Sequence, residues 1–520
     1  MADAPRAGRE IVAALHAHGV RRVVAAPGSR NTPLLLELAE ADTQGRLDLT
    51  MRTDERGAGF WALGQAKASG APVAVVTTSG TAVGNLFPAV MEAHHARVPL
   101  VVVSADRPAT ALDTGANQTT DQHGIFGGFV RASADVSDTP DAARSRRHQI
   151  ARLLAAAADG PVHLNVRFST PLVDDDDPVD AASWQRHQPR REPRHVELTD
   201  GPRTVVLAGD ATPELGARAN RLSAGYPLLA EPSSNARHGH ALGTARLLLG
   251  SALADEIERV VVVGHPTLSR PQQVLVQRDI EIVHVGPGEV AANTTLVADD
   301  VTLPAPDPGW TRRWHDADAH LAARLAELLA DRWCGPTVAR IVHDATIGHD
   351  LVVGSSSPVR DLDIAPVQPN GPHVWANRGL AGIDGLIATA SGIASVTGSA
   401  TLHVGDISFA HDLTGLLTGP WERRPNLRIV LVNDGGGSIF HTLEQGAPAH
   451  ADHFERVFGT PLTVDVESLA AAMGVGYRRA ADPDTLQAAL QRPRDGVDIV
   501  EVPIPRHDRR ALEQEIRDLV

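Results

Sequence analysis

Short β-branched runs alternate with helical stretches along the chain. Val23-Val-Ala-Ala runs into Pro27-Gly-Ser-Arg, Val73-Ala-Val-Val-Thr-Thr into Ser79-Gly-Thr, and Leu100-Val-Val-Val into Ser104-Ala-Asp-Arg-Pro. Each run is apolar on both faces, stops at a small-polar turn and feeds a helical stretch. Such runs predict strands of a parallel sheet covered on both faces. In sheets of this kind ligands bind at the loops beyond the strand C-termini. The turn residues are therefore where chemistry is to be sought.

The pattern breaks after Pro171-Leu-Val. Asp174-Asp-Asp-Asp-Pro leads into Gln185-Arg-His-Gln-Pro-Arg-Arg-Glu-Pro, an acidic, then basic and Pro-rich stretch that reads as an inter-domain linker. The four aspartates lack the alternating spacing of a calcium loop. A second block opens at Thr204-Val-Val-Leu-Ala-Gly-Asp and continues through Val260-Val-Val-Val-Gly and Ile280-Glu-Ile-Val-His-Val-Gly. None of its strands is followed by Gly-x-Gly-x-x-Gly, so a dinucleotide role has weak support. Leu303-Pro-Ala-Pro-Asp-Pro-Gly then leads to a helix expected around 317–332. A third block starts near Gly335-Pro and repeats the strand-loop-helix style of the first. The expectation is an α/β protein of three doubly wound parallel-sheet domains, at 1–180, 181–334 and 335–520.

Composition narrows the chemistry. The 520 residues suffice for about three domains. With 42% apolar and 21% charged residues the balance is globular, and with aromatics at 3% the cores must be aliphatic. The net charge of -15 argues against a nucleic-acid surface. A single cysteine, Cys334, allows no intrachain disulfide or cysteine metal cluster and fits a reducing, cytoplasmic setting. The N-terminus runs into an amphipathic stretch, and no apolar run is long enough to span a membrane. Lys67 is the sole lysine and sits on what reads as an exposed helix face. Pyridoxal-phosphate enzymes, lysine aldolases and P-loop ATPases are thus poor candidates. His94-His95 and His238-Gly-His240 offer no third metal ligand at motif spacing.

The sharpest chemical signal lies in the third block. Leu402-His-Val ends in Gly405-Asp406, and Leu427-Arg-Ile-Val-Leu-Val ends in Asn433-Asp434-Gly-Gly-Gly. The aspartates are 28 residues apart, each just past a strand. Alone, either would serve as a helix cap. If the strands are neighbours, both carboxylates face one crevice, a hard-oxygen site suited to Mg²⁺ with a phosphate partner. Glycines there let backbone groups approach a diphosphate and its metal. The arrangement resembles the diphosphate-binding motif of thiamine-diphosphate enzymes. That superfamily activates its cofactor with a glutamate on a separate pyrimidine-binding domain. In Met51-Arg-Thr-Asp-Glu55-Arg-Gly-Ala-Gly, Glu55 follows the strand-like 47–51, and the motif favours it over Asp54. A carboxylate bonded to the pyrimidine nitrogen, away from water, favours the imino tautomer needed for activation.

Arginines mark strand ends elsewhere. Ser29-Arg30 and Arg107 do so in the first block, with Asn117-Gln118 following in Gly115-Ala-Asn-Gln-Thr. In the third block Ser356 and Arg360 occur in Gly354-Ser-Ser-Ser-Pro-Val-Arg, and Arg378 in Asn377-Arg-Gly-Leu-Ala-Gly-Ile-Asp-Gly. Four arginines in Gly- and Ser-rich turns look like carboxylate clamps, so polycarboxylate substrates are expected.

Taken together, these strings, with Asp-Glu-Arg-Gly-Ala-Gly, Thr-Ser-Gly-Thr-Ala and Ile439-Phe440, resemble the MenD family. These are the 2-succinyl-5-enolpyruvyl-6-hydroxy-3-cyclohexene-1-carboxylate (SEPHCHC) synthases of menaquinone biosynthesis. The resemblance is dense in the first and third blocks and loose in the second. Departures are Ser355, where the family usually has Asn, and Gly435 and Ser438 in the glycine run. The resemblance implies a transferase that decarboxylates 2-oxoglutarate and adds the resulting succinyl-semialdehyde carbanion 1,4 to isochorismate. It implies Mg²⁺ or Mn²⁺ on Asp406, Asp434 and the Gly436 carbonyl. It implies cofactor contacts from Glu55, Ser79, Gly80, Ile383, Gly405, Asp406, Ile407, Asp434, Gly436, Ile439 and Phe440. Substrate contacts fall to Ser29, Arg30, Arg107, Asn117, Gln118, Ser356, Arg360 and Arg378, with Arg270 from the second block. Glu55, Arg30, Arg107, Gln118, Ser356, Arg360 and Arg378 form the catalytic set. Because the superfamily pairs the pyrimidine domain of one subunit with the diphosphate domain of another, a homodimer or homotetramer is expected. The rivals are another carboligase, such as an acetolactate-synthase-like enzyme, and an inactive scaffold of the same fold. The first would need fewer arginines and often a flavin site; retention of Glu55, Asp406 and Asp434 together argues against the second.

Overall fold

A computed structural model describes residues 3–173, 192–288, 290–291 and 293–520. The aspartate run and all but the last two residues of the expected linker, with the boundary at 180/181, lie outside the described residues.

The first sheet contains β1 (Arg22–Ala25), β2 (Asp48–Met51), β3 (Val73–Thr77), β4 (Leu100–Asp106), β5 (Ala132–Ser137) and β6 (Val162–Arg167), in the order β2-β1-β3-β4-β6-β5. Every ladder in it is parallel. The apolar runs read from the sequence are its central strands, and β3 and β4 are buried at every position. Edge strand β5, Ala-Ser-Ala-Asp-Val-Ser, escaped the reading because one face is wet and carries little apolar signal.

The second block adds β7 (His195–Glu197), β8 (Thr204–Ala208), β9 (Leu228–Ala230), β10 (Arg259–Val263), β11 (Glu281–Val285), β12 (Leu296–Ala298) and β13 (Asp300–Thr302). Five of these form a parallel sheet ordered β12-β11-β10-β8-β9, and β13 pairs with β7 apart from it. The helix expected at 317–332 runs instead over Pro308–Leu329. Asp307 caps it by accepting from Gly309 N at 2.8 Å, and Pro308 occupies the first helical position. The last proline of the stretch expected to lead into the helix is thus itself the helix start, where a missing N–H costs nothing.

The third sheet contains β14 (Asp350–Val353), β15 (His373–Trp375), β16 (Ala400–Gly405), β17 (Leu427–Asn433), β18 (Gly476–Arg479) and β19 (Val497–Pro503). Its order, β15-β14-β16-β17-β19-β18, is the same as that of the first sheet, strand for strand. The likeness of style between the two blocks is thus a likeness of topology. Corresponding strands end in corresponding loops: Ser29-Arg30 follows β1 as Ser356 follows β14, and Ser79-Gly80 follows β3 as Asp406 follows β16.

By contacts the chain forms two compact units. One is Met1–Arg190 with Gly379–Gly398 and Asp412–Pro425; the other is Arg191–Arg378 with Ser399–His411 and Asn426–Val520. The first recruits helix Leu386–Thr397 because it crosses helix Glu55–Ser69 at backbone distance. A Cβ on Gly64 would meet Thr389 O at 2.1 Å, and one on Gly392 would meet Trp61 O at 2.2 Å. Within the same unit, Arg52 donates to the Thr414 and Gly415 carbonyls at 3.2 and 3.1 Å. Buried Asp412 accepts from Ala388 N at 2.8 Å, with Arg56 at 3.8 Å. Lys67 is half-buried, not fully exposed as its helix face suggested. No helix among the described residues is long and apolar enough to cross a membrane.

Candidate active site

Glu55 is the first residue of its helix, whose cap is Asp54, accepting from Arg56 N at 3.0 Å. The Glu55 side chain is half-buried and lies 3.5 Å from Asn85 Nδ2, a neighbour that nothing in the sequence singled out. Ser79 and Gly80 form the turn after β3. Ser79 Oγ donates to the Gln118 carbonyl at 2.9 Å, and Gln118 Nε2 returns a bond to the Ser79 carbonyl at 2.8 Å. Gln118 is held in the left-handed region, at φ +58°, which a non-glycine residue enters only under constraint. Gly80 N donates to Gln122 Oε1 at 2.8 Å, and Gln122 Nε2 donates to Asn165 Oδ1 at 2.9 Å. Asn165 donates in turn to Asp106 at 2.9 Å. Gln122, Asn165 and Asp106 were missed because their role depends on three strands meeting.

Arg30 and Arg107 converge in this unit. Arg30 donates to the Phe168 carbonyl at 2.9 Å, and Arg107 N to Asp106 Oδ1 at 2.7 Å. Each guanidinium keeps a buried Nε without a protein acceptor. Burial, and then the charge of Arg107, lower the Arg30 pKa. Like charges held together with unmet donors could receive an anion. Ser29 and Asn117 stand exposed in the same loops, and Ile383 is half-buried in the segment this unit recruits.

In the other unit β16 and β17 are neighbours, with Gly405 in register with Val432. Asp406 and Asp434 therefore leave adjacent strand ends, the condition on which the shared crevice depended. Asp406 accepts from Ile407 N at 2.8 Å and from Gly436 N at 2.7 Å. Burial raises its pKa. Burial pushes Asp434 up to about 7, against a hydrogen bond from Ser438, and the Asp406 charge adds to the rise. Gly436 has φ +141°, and a Cβ there would meet Arg506 Nη1 and Gly459 O, both at 2.4 Å. Only glycine fits that turn. Two desolvated carboxylates beside a glycine-lined turn could serve as oxygen donors to a hard divalent cation. No cluster of three or more His, Cys, Asp or Glu side chains suited to a metal occurs among the described residues. Ile439 and Phe440 are half-buried, with Phe440 5.9 Å from the Phe458 ring.

The same unit carries the second pair of arginines. Arg378, buried, donates to Thr267 Oγ1 through Nε at 3.2 Å and Nη2 at 3.1 Å. Arg360 donates to the Leu268 carbonyl at 3.3 Å, and burial, then Arg378, lower its pKa. Ser356 takes φ +76° ahead of helix Ser357–Leu362. The Ser355 hydroxyl is buried without a protein partner, while Ser357 Oγ meets Ser438 Oγ at 3.1 Å. Arg270 is exposed at the start of helix Arg270–Leu275, two residues beyond Leu268.

Comparison with known proteins decides the family. Residues 5–125 match the family described as thiamine pyrophosphate enzyme, N-terminal TPP binding domain. A 2-succinyl-5-enolpyruvyl-6-hydroxy-3-cyclohexene-1-carboxylate synthase from a Nocardioides species is 46% identical, covering 99% of this chain and 98% of that protein. Those from an Arthrobacter species and from Kineococcus radiotolerans are 45% and 46% identical, covering 99% and 93% of this chain and 92% and 93% of theirs. The chain belongs to the SEPHCHC synthase family. It is therefore a thiamine-diphosphate enzyme of the α/β class. The SEPHCHC synthase resemblance, thin in the second block by motif alone, extends across that block in these alignments.

Proposed function

We propose that the chain is a transferase that catalyses thiamine-diphosphate-dependent decarboxylation of 2-oxoglutarate and addition of the four-carbon remainder to isochorismate. The products are SEPHCHC and CO₂, in menaquinone biosynthesis. The observation that carries this reading beyond family membership is the paired arginines. In each unit two guanidinium groups stand close together: burial, and then the charge of Arg107, lower the Arg30 pKa, and burial, then Arg378, lower that of Arg360. Such sites call for anions, and both substrates are dicarboxylates.

Thiamine diphosphate, when bound, supplies the electron sink that a departing CO₂ requires. Glu55 would bond the pyrimidine ring nitrogen and share its proton. Asp406, Asp434 and the Gly436 carbonyl would hold Mg²⁺ or Mn²⁺ against the diphosphate. Ser79, Gly80, Ile383, Gly405, Ile407, Ile439 and Phe440 would line the cofactor. Ser29, Arg30, Arg107, Asn117 and Gln118 would meet substrate from the first block, and Arg270, Ser356, Arg360 and Arg378 from the rest. Arginine suits this task because its charge persists through turnover and its fork matches a carboxylate. We read 1–180 as the pyrimidine domain, 181–334 as a central domain and 335–520 as the diphosphate domain. A homodimer or homotetramer in the cytoplasm completes the reading.

The test is CO₂ release from 2-oxoglutarate with thiamine diphosphate and Mg²⁺, with and without isochorismate. Isochorismate-dependent consumption and formation of SEPHCHC are expected. CO₂ release that ignores isochorismate, or acetolactate formed from pyruvate, would overturn the assignment.

A further inference from the structure

Glu231 follows β9 and is 1% exposed. Its Oε2 accepts from Thr267 N at 3.2 Å and its Oε1 from Leu268 N at 2.8 Å. Thr267 and Leu268 form the turn beyond β10 in the same sheet. Those two residues are the ones that hold the second arginine pair: the Thr267 hydroxyl accepts from Arg378 and the Leu268 carbonyl from Arg360. One buried carboxylate thus fixes one turn, and that turn fixes two guanidinium groups.

We propose that Glu231 is a positioning residue for substrate, setting Arg360 and Arg378 through the turn of Thr267 and Leu268. This rests on the reading of those arginines as carboxylate ligands and gives the middle sheet a part in it. The charge arrangement favours the role. Burying a carboxylate is costly, and packing alone would be served as well by an apolar side chain. Burial raises the Glu231 pKa to about 8, against the two backbone N–H groups and Arg378. The carboxylate is not spent on a direct ion pair. Arg378 and Arg360 bond neutral oxygens in the turn. Their charge stays undischarged toward an arriving anion.

The test is steady-state kinetics of Glu231→Gln, Thr267→Val and Arg378→Ala, with thiamine-diphosphate affinity measured by titration calorimetry. Gln presents an N–H₂ to one of the two backbone donors, so one bond is lost with the shape kept. Thr267→Val removes only the acceptor for Arg378 and serves if Glu231→Gln does not fold. The expected result is a KM for at least one dicarboxylate raised about tenfold in both variants, the loss of about one charge-assisted bond. Saturating turnover should stay within about twofold and cofactor affinity should not change. The double variant Glu231→Gln/Thr267→Val should be less than additive. If Arg378→Ala raises KM and the other two variants do not, the positioning role is overturned while the arginine reading stands. If Arg378→Ala leaves KM unchanged, the arginine reading fails and the inference with it. Loss of turnover and cofactor affinity together, without a KM effect, would mark Glu231 as structural only and overturn the proposal.

Discussion

Three carboxylates carry different burdens in the proposed chemistry. Glu55 begins a helix, where the dipole favours its charge, and the Asn85 amide lies 3.5 Å from it. Glu55→Gln keeps the shape and removes the ability to exchange a proton. Cofactor should still bind, and turnover should fall on the order of 100-fold or more, the range for a lost acid–base group. Calorimetry and the CO₂ assay check it, and normal turnover would remove Glu55 from activation. Asp406 and Asp434 are instead desolvated and set beside each other. A cation relieves both costs, so cofactor binding should depend on it. Chelation by EDTA should abolish thiamine-diphosphate binding, with recovery on Mg²⁺ addition. Asp406→Ala should bind no cofactor at any Mg²⁺ concentration. Intact binding in that variant would take Asp406 out of the metal site.

The elements that frame these residues make their own predictions. Gly64 sits inside a helix, where alanine is ordinarily better by about 1 kcal/mol. Here its missing Cβ is the space through which the Thr389 carbonyl passes. Forcing the helices apart costs about 1–3 kcal/mol, so packing outweighs propensity. Gly64→Ala should lower the thermal midpoint by circular dichroism, and a raised midpoint would show that the crossing is loose. Asp412 tests the same region by pH. Burial raises its carboxyl to about 6, against the Ala388 N–H and Arg56. A folded-state pKa above the unfolded value means that the folded form binds the extra proton. Stability from this site is therefore greatest in acid and falls as pH rises from the ordinary carboxylate range through about 6. Asp412→Asn should gain on the wild type by up to roughly 3 kcal/mol between pH 4 and 7. A difference that does not change with pH would refute it. Neither contact was legible in the sequence, since Gly64 and Asp412 are ordinary residues until their partners, remote in the chain, arrive. What was legible came from local pattern. Central strands declare themselves by valine runs, and Asp406 and Asp434 by following such runs. Edge strands β5 and β18 lack that signal, and Glu231 and Gln122 act only through turns contributed by other strands.

At the scale of the whole molecule, Glu55 and Asp406 fall in different compact units, at loops of two sheets with one strand order. If one cofactor needs both residues and the subunits exchange these halves, the two single variants are complementary. The Glu55→Gln and Asp406→Ala variants should each be inactive alone. Mixed, and exchanged through mild denaturant, they form hybrids. In a hybrid, one site would combine both defects, while the other would take intact Glu55 from one subunit and intact Asp406 from its partner. Random exchange makes about half the dimers hybrid, each with one working site of two, so about a quarter of wild-type activity should return. A site built within one subunit gives the opposite outcome, because every site then carries one defect and mixing restores nothing. Native mass spectrometry of the mixture shows whether hybrids formed, so a null result with hybrids present would exclude sharing between subunits.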